Sequence, residues 1–372
     1  MPQVMYGQQP MPLDNGGYVL RTNEVFTALS NMIISQEVFA DNLKGTYSSL
    51  VDKAKVDGSL YGDTKLYYAT DVLETEEWGA NVDPTNLLQK HRPNDPKVQA
   101  IYLDKFRQIS LTLDDYLSKR AWSTEGAFSQ FQSVMQGWIR ETKRVYEATT
   151  YNAFIGTDPS SASQKVEVNL ATIEADASLN TEEKSRQEAG QIAQRIADLF
   201  IDLKDVSRDF NDYGFMRSYN DDDLVIVWNS KWVNKIRKID LPTIFHNEGL
   251  IGKFAEEVLP ARYFGTINAT TTVGLNTRAL EEMKIGDNHY FAGDKIASGE
   301  TIVANSTYNV DDNIICKIMH KRSVPFMSAF EVGTSFFNPK TLDTNYYLTW
   351  GHNTLEHLLD KPFITVTAKV SE

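Results

Sequence analysis

The sequence predicts an α+β fold, and the periodicity of its apolar residues is the main observation behind this prediction. Residues 123–156 and 181–207 repeat apolar side chains every three or four positions, as helices do. Residues 66–113 alternate apolar and polar side chains, and residues 313–370 are rich in the aromatic and β-branched types that favour strands. Helices and strands thus follow one another in separate runs, and the C-terminal strands are expected to fold back on an earlier helix.

The composition is that of a globular protein. The chain has 372 residues, of which 41% are hydrophobic, enough for one large domain or two to three ordinary ones. No apolar run approaches the roughly 20 residues that a membrane span needs, and the N-terminus lacks the segments of a signal peptide. The single cysteine, Cys316, lies in the apolar run IICKIM and is expected to be a buried thiol. We expect no membrane association, no secretion by the usual route and a reducing environment.

The formal net charge of -13 argues against a protein that grips nucleic acid, because affinity for phosphates comes from clustered lysine and arginine. An acidic protein can nevertheless lie beside DNA. Its like charge would oppose non-specific adhesion, which suits a surface that must not stick to DNA.

The first 22 residues are predicted to form an extended arm without regular structure. They contain three prolines, the Gly16-Gly17 pair and only Asp14 and Arg21 as charges. Their Met, Tyr, Val and Leu content suggests that the arm docks on another surface. A short helical stretch is predicted next, over residues 23–43.

Residues 66–113 are predicted to form one long β-hairpin. The first strand, KLYYATDVLETEEW, is joined to the second by a connection rich in glycine, proline and asparagine. A strand of roughly 13 to 15 residues spans about 40 to 50 Å, more than the core of a compact domain requires, so the hairpin is expected to reach a neighbour. Its charges would either pair across the hairpin or meet a second subunit. The acidic residues before the tip are Asp71, Glu74, Glu76, Glu77 and Asp83, and the basic residues after it are Lys90, Arg92 and Lys97.

A single long helix is predicted over residues 123–156. Ser123 or Thr124 can cap its first turn, and Gly156 is placed to end it. Roughly 30 residues of helix extend about 45 Å, which is long enough to organise a whole domain. The predicted core-facing stripe consists of Phe128, Phe131, Met135, Trp138, Thr142, Val145, Thr149 and Ala153.

The second half of the chain is predicted to mix helices and strands. Residues 158–180 are predicted to form a loop. Residues 224–242 predict a strand, a turn and a helix capped by Asn229 or Ser230, and the bulky turn WNSKW favours packing because it lacks the glycines that phosphate binding needs. Short strands are predicted over residues 262–310. After the predicted loop at residues 158–180, a helix is predicted to begin at Thr181. Its apolar face contains Ile192, Ile196, Leu199, Leu203 and Val206.

The sequence carries no motif that is typical of an enzyme. The GxSxG, Walker A, GxGxxG, HExxH and paired CxxC patterns are all absent. His352 and His357 are spaced so that their imidazoles would point roughly 140° apart on a helix and to opposite faces of a strand. No metal site is therefore expected there, with or without Glu356, and neither a cofactor nor a catalytic residue is expected. The acidic runs at residues 221–223, 256–257 and 311–312 are interpreted as solvated loops.

The order of these features resembles the major capsid protein of tailed phages, which has the HK-ninety-seven-type fold. In that family an N-arm is followed by an outreaching hairpin called the E-loop, a peripheral domain with a long spine helix, and an axial domain. Three stretches are similar in more detail to the capsid proteins of small podophages and their relatives. They are LTLDDYLSKRAWSTEGAFSQFQSVMQ, LVIVWNSKWVNKI and NYYLTWGHNTLEHLLDKPFITV. The resemblance covers nearly the whole chain.

The resemblance implies an N-terminal arm (residues 1–45), an E-loop hairpin (46–115), a peripheral domain (116–165 and 311–372) and an axial domain (166–310). It implies self-assembly as pentamers and hexamers into an icosahedral shell, which encloses double-stranded DNA without sequence-specific binding. Scaffolding, portal and head-tail connector or decoration proteins are the implied partners. The implied location is the virion capsid, assembled in the host cytoplasm.

The functional residues that the resemblance implies lie at subunit interfaces, where backbone pairing and aromatic burial would hold the hairpin and carboxylates would set its register. In the arm they are Tyr6, Met11, Tyr18 and Leu20. In the hairpin they are Tyr67, Tyr68, Asp71, Val72, Glu74, Glu76, Glu77, Trp78, Tyr102 and Phe106. The implied core of the spine helix is Phe128, Phe131, Met135, Trp138 and Val145.

The sequence departs from some relatives in two ways, and three alternatives remain open. No coiled-coil segment precedes the arm, so scaffolding is expected from a separate protein or a removed segment. Nothing marks Lys65, Lys90 or Lys97 as half of a covalent cross-link. One alternative is the shell of a bacterial nanocompartment, which resembles the same fold but encloses an enzyme. The others are a tail or minor structural protein that forms rings or tubes, and an enzyme with an unusual site at residues 221–223.

Overall fold

The computed structural model describes residues 11–12, 18–19, 49–57, 64–75, 92–114, 125–156, 164–237, 255–268, 278–280, 282–285, 288–291, 295–297, 300–301 and 306–369. Its helices are α1 (Ser49–Ala54), α2 (Glu125–Gly156), α3 (Ala171–Ala175), α4 (Thr181–Lys204) and α5 (Ser230–Arg237), and 3-10 turns cover Asp221–Asp223 and Ala261–Tyr263. The strands of the first two thirds are β1 (Met11–Pro12), β2 (Tyr18–Val19), β3 (Lys55–Asp57), β4 (Thr64–Ala69), β5 (Lys97–Asp114), β6 (Lys165–Asn169) and β7 (Leu224–Asn229). The remaining strands are β8 (Ala255–Leu259), β9 (Gly265–Asn268), β10 (Arg278–Leu280), β11 (Glu282–Ile285), β12 (Asn288–Phe291), β13 (Lys295–Ala297), β14 (Glu300–Thr301), β15 (Ser306–Val310), β16 (Ile314–His320), β17 (Phe326–Asn338), β18 (Asp343–Asn353) and β19 (Phe363–Lys369).

The chain divides into two compact units, each built from segments that are distant in sequence. The first unit contains Met1–Ser49, Phe106–Glu147 and Phe330–Gly351. The second unit contains Leu50–Lys105, Ala148–Ala329 and His352–Glu372.

The core of the second unit is a five-stranded sheet in the order β6-β19-β16-β7-β8. β16 pairs antiparallel with β19 and β7, whereas β6 pairs parallel with β19 and β8 pairs parallel with β7. The central strands β7 and β16 are buried along nearly their whole length, which explains their continuous apolar runs. The sheet shares a hydrophobic core with α4, whose contribution is Ala189, Ile192, Ile196, Leu199, Phe200 and Leu203.

Helix α4 begins with a capping box and ends earlier than predicted. Asn180 accepts a hydrogen bond from Glu183 N at 2.9 Å, and the Glu183 carboxylate accepts one from Asn180 N at 3.0 Å. The helix ends at Lys204, and Val206 beyond it is 60% exposed. The predicted apolar face is therefore confirmed for Ile192, Ile196, Leu199 and Leu203 and is wrong for Val206.

The predicted strand, turn and helix are confirmed as β7 and α5. Asn229 Oδ1 accepts from Lys231 N at 3.0 Å at the start of the helix, and Asn229 Nδ2 donates to Ile314 O at 2.9 Å. Trp232 Nε1 donates to Asp312 O at 2.9 Å. Asn229 and Trp232 of this turn thus form their side-chain hydrogen bonds within the chain.

A second five-stranded sheet has the order β3-β17-β18-β5-β4. β4 and β5 confirm the predicted antiparallel pairing, with Thr64 opposite Tyr102 and Ala69 opposite Lys97. The predicted first strand is wrong for residues 70–75, because β4 ends at Ala69 and Asp71 bonds Met216 N and Arg208 instead of a strand partner. β5 has 18 residues, more than predicted, and its burial alternates from residue to residue as the sequence pattern indicates. Residues 76–91 of the connection lie outside the described residues.

In the first unit, the predicted long helix packs on strand residues. α2 is confirmed over Glu125–Gly156. The Tyr146 hydroxyl accepts from Arg107 Nε at 2.9 Å, and its ring meets Trp350 edge-on with centroids 5.7 Å apart. Lys143 Nζ forms an ion pair with Glu331 Oε2 at 2.6 Å.

The predicted stripe of this helix is described only in part. Thr149 and Ala153 are buried as predicted, and Trp138 and Val145 are half-buried. The prediction is wrong for Thr142, which is exposed and whose hydroxyl donates to Trp138 O at 2.8 Å. The side chains of Phe128, Phe131 and Met135 lie outside the described residues, so their core position stays a prediction.

Two segments predicted to be irregular contain regular structure. The loop prediction for residues 158–180 is wrong at β6 and α3, because β19 provides an edge on which β6 pairs in parallel. In the arm, β1 and β2 pair antiparallel, with Met11 opposite Val19 and Pro12 opposite Tyr18.

The short strands predicted over residues 262–310 are present as β9 to β15. The helix predicted over residues 23–43 lies outside the described residues.

Candidate assembly surfaces

The hairpin of β4 and β5 has two faces. Residues directly opposite on antiparallel strands point to the same face, so the pairs Leu66 with Ala100 and Tyr68 with Val98 share one face. Thr64 and Tyr102 form the next such pair. Ala69 and Ile101 belong to the other face, because side chains alternate along a strand.

The first of these faces is apolar and exposed. Tyr68 is 66% exposed, Tyr102 59%, Leu66 50% and Val98 47%. Phe106, at the same parity as Tyr102 along β5, is 56% exposed. Single exposed apolar residues are ordinary, but a contiguous group marks an interaction site. The four side chains Leu66, Tyr68, Val98 and Tyr102 are called the hairpin face below.

The opposite face packs within the second unit. Ala69 and Ile101 are buried. Tyr67 is half-buried, and this burial raises the pKa of its phenol against a smaller opposing effect of Arg322. Of the two neighbouring tyrosines predicted at an interface, Tyr68 therefore lies on the exposed face, whereas Tyr67 lies on the face turned to its own chain.

The acidic residues that follow β4 differ in their surroundings. Asp71 Oδ1 accepts from Met216 N at 3.0 Å, and Asp71 Oδ2 accepts from Arg208 Nη1 at 2.6 Å. These hydrogen bonds, the Met216 one first, lower the pKa of Asp71 to about 2. The carboxylate predicted to meet a second subunit is thus engaged within its own chain. Val72 and Glu74 are exposed, as a contact with a neighbour requires.

Several predicted interface residues cannot be placed in this surface. Met11 and Tyr18 lie in β1 and β2, where only their backbone is described. The residues that lie outside the described residues are Tyr6, Leu20, Glu76, Glu77 and Trp78.

The end of β17 and the turn after it carry a second exposed apolar group, which was not predicted from the sequence. Phe336 is 63% exposed, Phe337 49% and Leu342 43%. Leu342 has a φ of 60°, in the left-handed region that bulky residues rarely adopt, and its N–H donates to Asn338 O at 2.8 Å. Two adjacent exposed phenylalanines mean that both faces of the strand end are open.

Leu66 and Val98 of the hairpin face were not predicted to lie at an interface. A signal for both was available, since Leu66 has the same parity as Tyr68 and Val98 has the same parity as Tyr102. The missing information was the register, which decides that these four side chains share one face.

The two C-terminal histidines make separate structural contacts. His352 Nδ1 lies 2.9 Å from Asn353 O, and its ring stacks on Phe326. His357 Nε2 lies 2.7 Å from Asp212 Oδ2, and its ring stacks on Phe363. Among the residues that the structure describes, no group of three His, Cys, Asp or Glu side chains could hold a metal ion.

The acidic run at residues 221–223 and the cysteine are also engaged structurally. Lys204 Nζ lies 2.6 Å from Asp221 Oδ1, and Lys321 N donates to Asp223 O at 2.8 Å. Cys316 is buried in β16 as predicted, and its burial raises the pKa of the thiol. No helix in the described part of the chain is long and apolar enough to cross a membrane.

Two solved phage structures share this fold. A chain in the capsid structure of Staphylococcus phage Andhra aligns with a TM-score of 0.57 at 10% identity, covering 85% of this chain and 83% of that chain. A chain in the structure of head fiber and inner core protein gp22 of native bacteriophage P68 aligns with a TM-score of 0.55 at 10% identity, with the same coverage of 85% and 83%. These likenesses confirm the predicted α+β tailed-phage capsid fold. No curated protein matches the chain.

The family profile extends this result from fold to function. Residues 20–362 match the profile of the Phi29-like phage major capsid protein family. The match spans the hairpin, α2 and, apart from β19, the strands of the five-stranded sheet in the second unit. It favours a phage shell over the nanocompartment alternative. The chain therefore belongs to the Phi29-like phage major capsid protein family, and it is a structural protein of the bacteriophage virion that builds the capsid shell.

Proposed function

We propose that this capsid protein self-assembles as pentamers and hexamers into a closed icosahedral shell around double-stranded DNA, with the hairpin face lying across a neighbouring subunit. The observation that carries the proposal is the exposed apolar hairpin face, in particular Tyr68 and Tyr102. Burial of apolar surface drives association, and tyrosines are enriched at the centres of interfaces. Covering the exposed part of one such side chain would contribute about 1 kcal/mol, and the gain repeats at every subunit contact.

The proposed division of labour follows the order of the chain. The arm (residues 1–45) anchors to a neighbour through Tyr6, Met11, Tyr18 and Leu20, and the hairpin (46–115) lies across the adjacent subunit. Residues 116–165 and 311–372 form the peripheral domain, and residues 166–310 form the axial domain. In the hairpin, Val72, Glu74 and Phe106 are exposed and extend the contact beyond the hairpin face.

The proposed role is structural and not catalytic. The net charge of -13 suits enclosure of DNA without sequence-specific binding, because an acidic wall repels phosphate. Scaffolding, portal and connector or decoration proteins complete the head, and assembly takes place in the host cytoplasm.

Electron microscopy with particle-mass measurement tests this proposal. The wild-type protein, expressed alone and with its neighbouring genes, should form closed particles or five-fold and six-fold rings, and nuclease-protected DNA should appear when packaging genes are present. The double variant Tyr68→Ser/Tyr102→Ser should remain unassembled. The matched control is Ile201→Ser/Val206→Ser, which replaces two side chains on or just after α4 that are each 60% exposed, and it should assemble normally.

Either of two results would overturn the proposal. One is a wild-type protein that stays monomeric under both expression conditions. The other is a Tyr68→Ser/Tyr102→Ser variant that assembles as readily as the control, because the hairpin face would then make no subunit contact.

A further inference from the structure

Residues 207–217 form a loop that is closed on itself, called the closed loop here. Ser207 and Arg217 exchange two backbone hydrogen bonds of 3.0 and 2.9 Å. Inside the loop, the Asn211 side chain donates to Phe215 O at 2.8 Å and accepts from Phe215 N at 2.9 Å. Gly214 has a φ of 64°, which glycine adopts without steric cost. These bonds give the closed loop a fixed shape.

Residues 354–361, called the strap here, bind both the closed loop and β5. His357 Nε2 lies 2.7 Å from Asp212 Oδ2, and Asp212 N donates to Leu359 O at 2.8 Å. Thr354 donates to Asp104 from its backbone N at 2.7 Å and from its hydroxyl at 2.5 Å. The strap therefore ties the second strand of the hairpin to the closed loop.

A further pair of contacts joins strap and β5 through Gln99. Its amide nitrogen donates to His357 O at 2.9 Å, and its amide oxygen accepts from Leu359 N at 3.0 Å. Both hydrogen-bonding groups of the Gln99 side chain are thus used on the strap backbone, which fixes the register between the two segments.

The first strand of the hairpin is tied to the same closed loop by charged side chains. Asp71, just after β4, bonds Met216 N and Arg208, and its side chain is only 7% exposed. Arg217 Nη2 donates to Thr70 O at 2.8 Å, and Arg217 Nε donates to Asp360 Oδ1 at 2.8 Å. All four are charge-assisted hydrogen bonds, which are stronger than neutral ones, and together they hold the backbone at Thr70 and Asp71 against the closed loop and the strap.

We infer that Asp71 and Arg217 are positioning residues of the hairpin, which hold it in one orientation through the closed loop and the strap. This inference rests on the proposed function, since that orientation determines where the hairpin face meets a neighbour. Subunits of a closed shell must meet at defined angles. A hairpin that swings at its base would make the same contact at varied angles, and the particles would vary in diameter.

Hydrogen exchange of the unassembled protein tests the positioning role directly. In Asp71→Ala, the amide of Met216 and the amides of residues 64–75 should exchange about tenfold faster or more. The Met216 N–H loses its hydrogen-bond acceptor, and the segment around β4 loses its attachment to the closed loop. Exchange in α4 and β16 should stay at the wild-type rate. Asp71→Asn keeps an acceptor for Met216 N and should be intermediate. The control Glu182→Ala removes an exposed ion pair with Arg186 at 3.1 Å and should leave the hairpin unchanged.

The inference is overturned if the hairpin amides of Asp71→Ala exchange at the wild-type rate. It is also overturned if α4 and β16 accelerate equally, because Asp71 would then stabilise the whole fold and not one orientation. Should Asp71→Ala fail to fold, Arg208→Ala takes its place under the same criteria, since the Arg208 side chain is 49% exposed.

Assembly supplies the second readout. Where the wild type forms closed particles, Asp71→Ala should give a broader distribution of diameters in electron micrographs, and an unchanged distribution would contradict the positioning role. Failure of the wild type to assemble would contradict the proposed function instead. The exchange experiment would still decide whether Asp71 holds the hairpin.

Discussion

Gly156 is the residue at which α2 comes too close to another backbone for any side chain. A Cβ at this position would lie 2.0 Å from Tyr263 O and 2.5 Å from Tyr263 C. Because the obstacle is backbone, Gly156→Ala should force the chain apart and lower the free energy of unfolding by roughly 1 to 3 kcal/mol or more. Denaturant titration of the purified variant measures this.

Gly190 provides the matched control. It lies inside α4, and a Cβ there would have no atom within 4 Å. Alanine is favoured over glycine in a helix interior by about 1 kcal/mol, so Gly190→Ala should stabilise the protein. Equal effects of the two substitutions would contradict the close approach at Gly156.

His320 is the residue whose protonation should make stability depend on pH. Burial, assisted by the charge of Lys361 and opposed by that of Asp223, lowers its pKa from 6.5 to about 4. The neutral ring is also favoured because Nδ1 accepts from Arg322 N at 3.0 Å. Well above pH 6.5 neither the folded nor the unfolded state binds the proton, so the neutral His320 ring adds its full contribution to the free energy of unfolding. Between pH 6.5 and 4 the unfolded chain binds the proton and the folded chain does not, so stability falls.

His320→Asn tests this dependence, since Oδ1 of asparagine can replace Nδ1 as the acceptor for Arg322 N. The shift of the urea midpoint between pH 7.5 and pH 5 should be smaller in the variant than in the wild type. An equal shift in both proteins would mean that other groups carry the acid sensitivity.

At the scale of the element, substitutions on the two faces of β5 should change the free energy of unfolding by different amounts. Ile101 is 3% exposed, so Ile101→Ala should lower the free energy of unfolding by about 2 to 5 kcal/mol through a cavity. Val98 is 47% exposed on the hairpin face, so Val98→Ala should change it by no more than about 0.5 kcal/mol. Urea unfolding of both variants checks the pair. A large loss in Val98→Ala would mean that the hairpin face is packed within the chain.

Elements stabilised by residues within their own segment could be predicted from the sequence, whereas elements that depend on a distant partner could not. α2, α4 and the alternation in β5 follow from periodicity within each segment, and the sequence shows this directly. β6 could not be predicted because it forms only on the edge of β19, about two hundred residues away. Pairing of this kind leaves little trace in a five-residue stretch such as KVEVN.

The residues of the candidate surface also differ in whether they could be predicted from the sequence. Tyr68 and Tyr102 were predicted at an interface from the family resemblance, with aromatic burial as the physical reason, whereas Leu66 and Val98 required the strand register. The position of Asp71 against Arg208 joins residues far apart in the chain, and no local pattern of charge encodes it.

At the scale of the whole molecule, the net charge of -13 opposes association while the apolar hairpin face favours it. Salt separates the two contributions, because the Debye length falls from about 10 Å at 0.1 M to about 3 Å at 1 M, whereas apolar burial is not screened. The critical protein concentration for assembly should therefore fall as sodium chloride is raised, and light scattering over a series of protein concentrations measures it. Tyr68→Ser/Tyr102→Ser should fail to assemble at every salt concentration. A critical concentration that rises with salt would show instead that ion pairs between subunits dominate, and exposed Glu74 would then be the first residue to neutralise.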